Sequence, residues 1–113
     1  MNLQGKIWGE TRRLLKTPLF EMHGISVLDG TYCSKHKHAA KYNWFYVISG
    51  RLRIQTWQNG LADETDLGPG DACVVPPGKY HRFKGLADTE ALEAYWCELD
   101  TDDIEREDRG GKD

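Results

Sequence analysis

The chain has 113 residues, a length that forms one hydrophobic core and is too short for two. Apolar residues make up 39% of the chain and charged residues 29%, which is a globular rather than a disordered composition. The net charge of −3 is small, no apolar run is long enough to span a membrane, and the N-terminus lacks the apolar segment of a secretory signal. We therefore expect one domain over residues 1–113, with a cytoplasmic location and no membrane partner.

The charge is distributed unevenly along the chain. The part before Glu98 carries 12 basic and 10 acidic residues, whereas the part from Glu98 onwards carries 3 basic and 8 acidic residues. The nearly neutral body has no basic stripe of the kind that binds nucleic acid, so we expect no nucleic-acid partner. We place the core of the domain at about residues 20–99 and assign residues 100–113 to a solvated acidic tail.

Short strands separated by turns dominate the predicted elements. The first is an exception, because residues 10–16 are predicted as a short helix that Pro18 ends. The strand candidates that follow are residues 20–28, 44–48, 51–57, 72–75, 80–83 and 92–99. Turn pairs such as Asn59-Gly60 separate them roughly every 8–12 residues. This spacing predicts an all-β fold, an antiparallel β-sandwich or barrel.

Three of the four histidines suggest a metal site. His36 and His38 are two residues apart, so on a strand both imidazoles point to the same face. The alternative for this pair alone is a solvated position in a polar loop. His81 follows the rigid turn at residues 76–78, which presents a third imidazole at a defined place. Three imidazoles suit a divalent ion, and we expect zinc, iron, nickel or manganese.

The spacing of these histidines resembles the two sequence motifs of the cupin superfamily. The first motif is matched in spacing by Gly30, His36, His38, Asn43 and Gly50. The second is matched by Gly70, Pro76, Gly78, His81 and Gly85. Two identities differ from the motifs, because Asn43 stands in place of a glutamate and Gly85 in place of an asparagine.

The resemblance implies a cupin double-stranded β-helix, which is a jelly-roll barrel of two antiparallel sheets. It also implies a metal at the mouth of the barrel, held by His36, His38 and His81. Asn43 occupies the position of the fourth ligand in the motif, where its side-chain oxygen is a weaker, neutral ligand than a carboxylate.

Segments outside the two motifs resemble the cupin domain of type II mannose-6-phosphate isomerases. These segments are residues 6–9 (KIWG), 43–50 (NWFYVISG) and 102–106 (DDIER). The resemblance implies a metal-dependent protein that recognises, and in its catalytic form isomerises, a sugar or sugar phosphate. A small anionic sugar is therefore the expected ligand. The alternatives are a non-catalytic sugar-binding or regulatory cupin and a three-histidine iron dioxygenase.

Whether the chain is an enzyme stays open, because neither motif carries a carboxylate that could transfer a proton. Tyr80 and His23 are the candidate catalytic residues for that step. Arg53 and Arg82 are candidates for binding an anionic group of the substrate, since strands would hold them in place. Tyr46 is a candidate for stacking on a sugar ring.

The chain carries many large aromatic residues for one small sandwich. Trp8, Phe20, Trp57 and Trp96 exceed what such a core is expected to bury, and a surplus would form an exposed patch. The segment around Ile7 and Trp8 lies outside both motifs and is available to a partner sheet. We therefore expect a homodimer, the simplest closed assembly.

Overall fold

The computed structural model describes residues 2–98 and 100–112, and within these residues it contains β-strands and no helix. The strands are β1 (Asn2–Lys6), β2 (Gly9–Lys16), β3 (Phe20–Val27), β4 (Tyr42–Ser49), β5 (Leu52–Gln58), β6 (Leu61–Leu67), β7 (Ala72–Val75), β8 (Tyr80–Gly85) and β9 (Thr89–Trp96). They form a six-stranded sheet in the order β1-β2-β3-β9-β4-β7 and a three-stranded sheet in the order β6-β5-β8. Every strand pair is antiparallel. The predicted all-β antiparallel sandwich is confirmed.

Alternate residues of both sheets face each other and form the core. The six-stranded sheet contributes Ile25 and Phe45, and the three-stranded sheet contributes Ile54 and Phe83. Each of these side chains is almost completely removed from water, and burying one aliphatic or aromatic side chain contributes about 1.5–3 kcal/mol. The core fills one end of the sandwich and leaves the other end to the histidines.

The segment at residues 31–38 runs beside β8, at the edge of the three-stranded sheet. The backbone N–H of Cys33 donates to the carbonyl of Phe83 at 3.2 Å. Further along, the N–H of His36 donates to the carbonyl of His81 at 3.0 Å, and the N–H of His81 donates back to His36 at 2.8 Å. This bridge brings the two histidine-bearing segments together, although His36 and His81 are 45 positions apart in the chain.

The helix predicted for residues 10–16 is wrong, because this segment lies in strand β2. β2 is hydrogen-bonded to β1 on one side and to β3 on the other. A helix of two turns forms few hydrogen bonds after its costly nucleation, whereas a strand between two partners satisfies nearly all of its backbone groups. The pairing of Arg12 with Gly24 also suits the strand, since a Cβ on Gly24 would lie 2.8 Å from the Arg12 guanidinium.

Strand β6 was not predicted, and β9 begins earlier than expected. β6 is an exposed edge strand, and its acidic residues remove the alternation of apolar and polar residues by which a strand is recognised in a sequence. The turn before it was predicted correctly, since Asn59 and Gly60 both have positive φ angles, 53° and 76°, as a tight hairpin requires. β9 ends at Trp96, and Leu99, the predicted end of this strand, lies outside the described residues.

Ile7 and Trp8, neighbours in the turn between β1 and β2, differ in their exposure to solvent. Trp8 packs edge-on against Phe83 of its own core, with ring centroids 4.8 Å apart. The side chain of Ile7 is 96% exposed.

Residues 100–112 of the acidic tail are exposed throughout. Within the described residues, no helix is long and apolar enough to cross a membrane.

Candidate metal centre

Three imidazoles meet at the open end of the sandwich. His36, His38 and His81 each offer one ring nitrogen, and these three atoms lie within 4.8 Å of one another. The rings are 4.5–5.5 Å apart between centroids. The bridge between the segment at 31–38 and β8 accounts for this convergence, because it fixes His36 beside His81 and leaves His38 two residues further on.

Hydrogen bonds orient two of the rings toward a common point. His36 Nδ1 donates to the carbonyl of Ser34 at 2.8 Å, and His81 Nδ1 donates to the carbonyl of Lys79 at 3.0 Å. Each bond holds the proton on Nδ1 and leaves a lone pair on Nε2, which is how metal-binding histidines are held in proteins.

His38 provides the clearest sign that the group fits a metal ion. Its Nε2 is buried and has no hydrogen-bond partner among the described residues. An unpaired buried polar atom costs free energy, and a metal ion at this point would satisfy it. Burial, followed by the neighbouring His36, lowers the pKa of His38 to about 4. The imidazole is therefore neutral near pH 7, which is the form that binds metal.

Asn43 lies next to the histidines and completes the first motif. Its side chain is fully buried, and its Oδ1 lies 2.9 Å from His81 Nε2. The amide nitrogen donates to the carbonyl of Ala94 at 3.2 Å and to Glu93 Oε2 at 3.3 Å. Two acceptors thus fix the orientation of the amide, and the oxygen faces the histidines.

Glu93 is the carboxylate that the motifs lack, and the sequence reasoning missed it. It lies on β9, outside both motifs, and its side chain is only 7% exposed. Burial raises the pKa of Glu93, while hydrogen bonds from Tyr95 and Asn43 act in the opposite direction. The available signal was alternation along the last strand, which places Ala91, Glu93 and Tyr95 on one face.

His23 faces the same cleft as the metal-binding group. The cleft has a volume of about 940 Å³, and its walls include His36, His38, Glu93 and Tyr95. His23 Nε2 lies 2.6 Å from Glu21 Oε2, and its Nδ1 lies 3.2 Å from the Thr11 hydroxyl. β3 lies beside β9, where His23 pairs directly with Glu93.

Arg82 lies at the rim of this cleft. Its Nε donates to the carbonyl of Cys33 at 3.0 Å, and its guanidinium lies 4.6 Å from the centre of the Tyr32 ring. Lys41 and Lys6 also line the cleft. The wall of the cleft therefore carries three cationic side chains in addition to His36 and His38.

The other residues proposed from the sequence lie outside the cleft. Tyr80 is exposed beside Lys37, because it precedes the inward-facing His81 on its strand. Arg53 lies on the outer face of the three-stranded sheet and forms an ion pair with Asp66 at 2.8 Å. Tyr46 lies on the outer face of the six-stranded sheet. The structure does not bring these three residues to the histidines.

Tyr46 and its neighbour Trp44 share that outer face and stack with ring centroids 5.8 Å apart. A residue of β4 that faces the core, such as Phe45, is always flanked by two that face outward. The aromatic pair therefore belongs to the surface of the sandwich and not to its mouth.

Comparisons with known proteins agree with the fold. The family model described as the cupin domain matches residues 25–98. KdgF from Halomonas sp. has a similar structure, with a TM-score of 0.75 and 20% identity over 88% of this chain and 89% of that chain. A cupin superfamily protein from Desulfitobacterium hafniense DCB-2 gives a TM-score of 0.68 and 19% identity, over 78% of this chain and 76% of that chain.

A variant of oxalate decarboxylase from Bacillus subtilis gives a TM-score of 0.75 and 19% identity over 85% of this chain. The match spans only 27% of the oxalate decarboxylase chain. The comparison with curated proteins gave no match. At these identities the structural neighbours show the fold alone, while the family model covers more than half of the chain. The chain belongs to the cupin family.

Proposed function

We propose that this cupin binds a divalent metal through His36, His38 and His81 and isomerises a sugar or sugar phosphate. A divalent ion at these residues would act as a Lewis acid that polarises a carbonyl and a neighbouring hydroxyl of the sugar. The observation that carries the proposal is that a positioned histidine, His23, opens on the same cleft as His36 and His38, two of the three imidazoles.

His23 has the arrangement of a general base. A carboxylate only accepts hydrogen bonds, so the contact with Glu21 holds the proton on Nε2 and leaves the lone pair on Nδ1. The Thr11 hydroxyl donates to that lone pair and keeps the ring in one orientation. Once the Thr11 hydroxyl turns away and frees this lone pair, Nδ1 can take a proton from one carbon of a bound sugar and return it to the next. The hydroxyl proton passes at the same time to the neighbouring carbonyl oxygen, and the two transfers together convert an aldose to a ketose.

The charge of the cleft favours an anionic substrate. Lys41, Lys6 and Arg82 line it, whereas one of its two carboxylates, Glu21, is engaged by His23. A phosphate or carboxylate group on the sugar would lie close to these cations. The resemblance of the chain ends to type II mannose-6-phosphate isomerases supports a sugar phosphate.

Proton exchange tests the proposal directly. The protein, loaded in turn with zinc, manganese, nickel or iron(II), is incubated without oxygen with mannose 6-phosphate or fructose 6-phosphate in D₂O. NMR should show deuterium entering the carbon next to the carbonyl, and His23→Gln should abolish this exchange while Glu90→Gln keeps it. Binding of the sugar without exchange would identify a sugar-binding cupin instead, and consumption of added oxygen would identify a dioxygenase.

A further inference from the structure

Asn43 and Glu93 form a pair at the position where the first cupin motif has a single glutamate. Asn43 occupies the motif position on β4, and Glu93 reaches the same point from the neighbouring strand β9. The Asn43 amide connects them, since its nitrogen donates to Glu93 and its oxygen faces His81. The side chains of both residues are buried.

The contact between Asn43 and His81 is incomplete without a cation. A neutral imidazole has one N–H group, yet both ring nitrogens of His81 face an oxygen that accepts, Lys79 O at 3.0 Å and Asn43 Oδ1 at 2.9 Å. The amide cannot turn round, because its nitrogen donates to Ala94 O and Glu93. In one of the two contacts a lone pair of the nitrogen therefore faces a lone pair of the oxygen, with no hydrogen between them. Two neighbouring ligands of one metal ion are spaced in the same way, roughly 3 Å apart for metal–ligand bonds of about 2.1 Å.

Glu93 is buried beside the histidines without an ion-pair partner among the described residues. Its carboxylate accepts a hydrogen bond from the Asn43 amide at 3.3 Å. Buried charges are normally paired or coordinate metals. Three neutral imidazoles, conversely, leave the charge of a divalent ion uncompensated, so the carboxylate and the ion are complementary.

We propose that Asn43 and Glu93 together replace the glutamate of the first motif. Asn43 presents its side-chain oxygen to the metal, and Glu93 anchors the amide and supplies the negative charge of the centre. Glu93 acts through Asn43 and is a positioning residue. The proposal rests on the metal site of the proposed function but not on any substrate.

The test measures Mn²⁺ binding by titration calorimetry, with no sugar present. Glu93→Gln keeps an oxygen that accepts from the Asn43 amide and removes the charge. We expect this variant to bind Mn²⁺ at least about tenfold more weakly, as for other residues that support metal ligands. The control is Glu90→Gln, an exposed glutamate on the same strand, which should bind as the wild type does. Equal affinities of the two variants would overturn the proposal.

A double variant tests whether the lost charge is the cause. Asn43→Asp combined with Glu93→Gln moves the carboxylate to the ligand position and should restore the affinity that Glu93→Gln loses. No recovery in a folded double variant would contradict the proposal.

Thermal unfolding in EDTA distinguishes a role of Glu93 in metal binding from a role in holding the fold. Because Glu93→Gln removes a buried carboxyl group without an ion-pair partner, the metal-free variant should be at least as stable as the wild type. A large loss of stability there would show that Glu93 holds the fold. These measurements use metal alone, so they test the role of Glu93 independently of the proposed isomerase activity. Either proposal can be contradicted while the other holds.

Discussion

The imidazole of His23 is held by the carboxylate of Glu21, whose Oε2 lies 2.6 Å from Nε2. The two residues lie two positions apart on β3 and face the cleft together. This hydrogen bond, against a smaller opposing effect of burial, lowers the pKa of Glu21 below 4.5. The ionised carboxylate is thus more favourable in the folded protein than in the unfolded chain.

Stability should depend on Glu21 only above acidic pH. A carboxyl group with a lowered pKa stabilises the fold above its unfolded pKa, and the effect is lost as pH falls through its folded pKa. We expect Glu21→Gln to reduce the free energy of unfolding at pH 7 by up to about 1 kcal/mol, as for partly exposed ion pairs. Urea unfolding at several pH values should show the two proteins converging below the ordinary carboxyl pKa of 4.5. A difference that persists at pH 2–3, or one that Glu105→Gln in the exposed tail reproduces, would contradict this interpretation.

Replacing His38 should distinguish the destabilisation of the metal-free protein by its unpaired nitrogen from the stabilisation that a bound metal provides. His38→Leu removes the unpaired buried Nε2 and nearly preserves volume, so the metal-free protein should be as stable as the wild type or more so. Zinc at a hundred times its dissociation constant should stabilise the wild type by about 2.7 kcal/mol and the variant far less. Thermal unfolding in EDTA and in zinc measures both effects. Equal zinc stabilisation of the two proteins would exclude His38 from the site.

The sequence grouped the three histidines because the two motifs are recognised from residue types and their spacing, without knowledge of how the strands pair. Glu93 was not predicted, since one charged residue in a strand such as 92–99 faces either water or the core, and only the register with β3 and β4 decides which. Residues 10–16 were assigned to a helix for a similar reason. The local preference of that segment is weak, and pairing with two neighbouring strands outweighs it.

The anionic group of the substrate should bind in the cleft and not on the outer face of the three-stranded sheet. Lys41 lines the cleft, whereas Arg53, which the sequence also favoured, forms ion pairs with Asp66 and Glu64 on the outer face. We expect Lys41→Gln to weaken binding of mannose 6-phosphate several-fold and Arg53→Gln to change it less than twofold, by calorimetry on the metal-loaded protein. Stronger weakening by Arg53→Gln would place the anion site on the outer face.

The expected homodimer should form through the outer face of the six-stranded sheet. The sequence suggested that Trp8 would be available to a partner, but Trp8 packs on Phe83 of its own core. Trp44 and Tyr46 instead stack on the outer face, beside Val74, whose side chain is 51% exposed. An apolar sheet face of this kind can pair with its own copy about a two-fold axis.

A charge on this face should therefore break the dimer. We expect sedimentation equilibrium at micromolar concentration to give twice the mass of one chain for the wild type and the mass of one chain for Val74→Glu. The control is Leu61→Glu, a more exposed apolar residue on β6 of the other sheet, which should remain dimeric because its strand is remote from the aromatic pair. A monomeric wild type would end the dimer hypothesis. A dimer that Leu61→Glu dissociates and Val74→Glu leaves intact would move the interface to the edge of the three-stranded sheet.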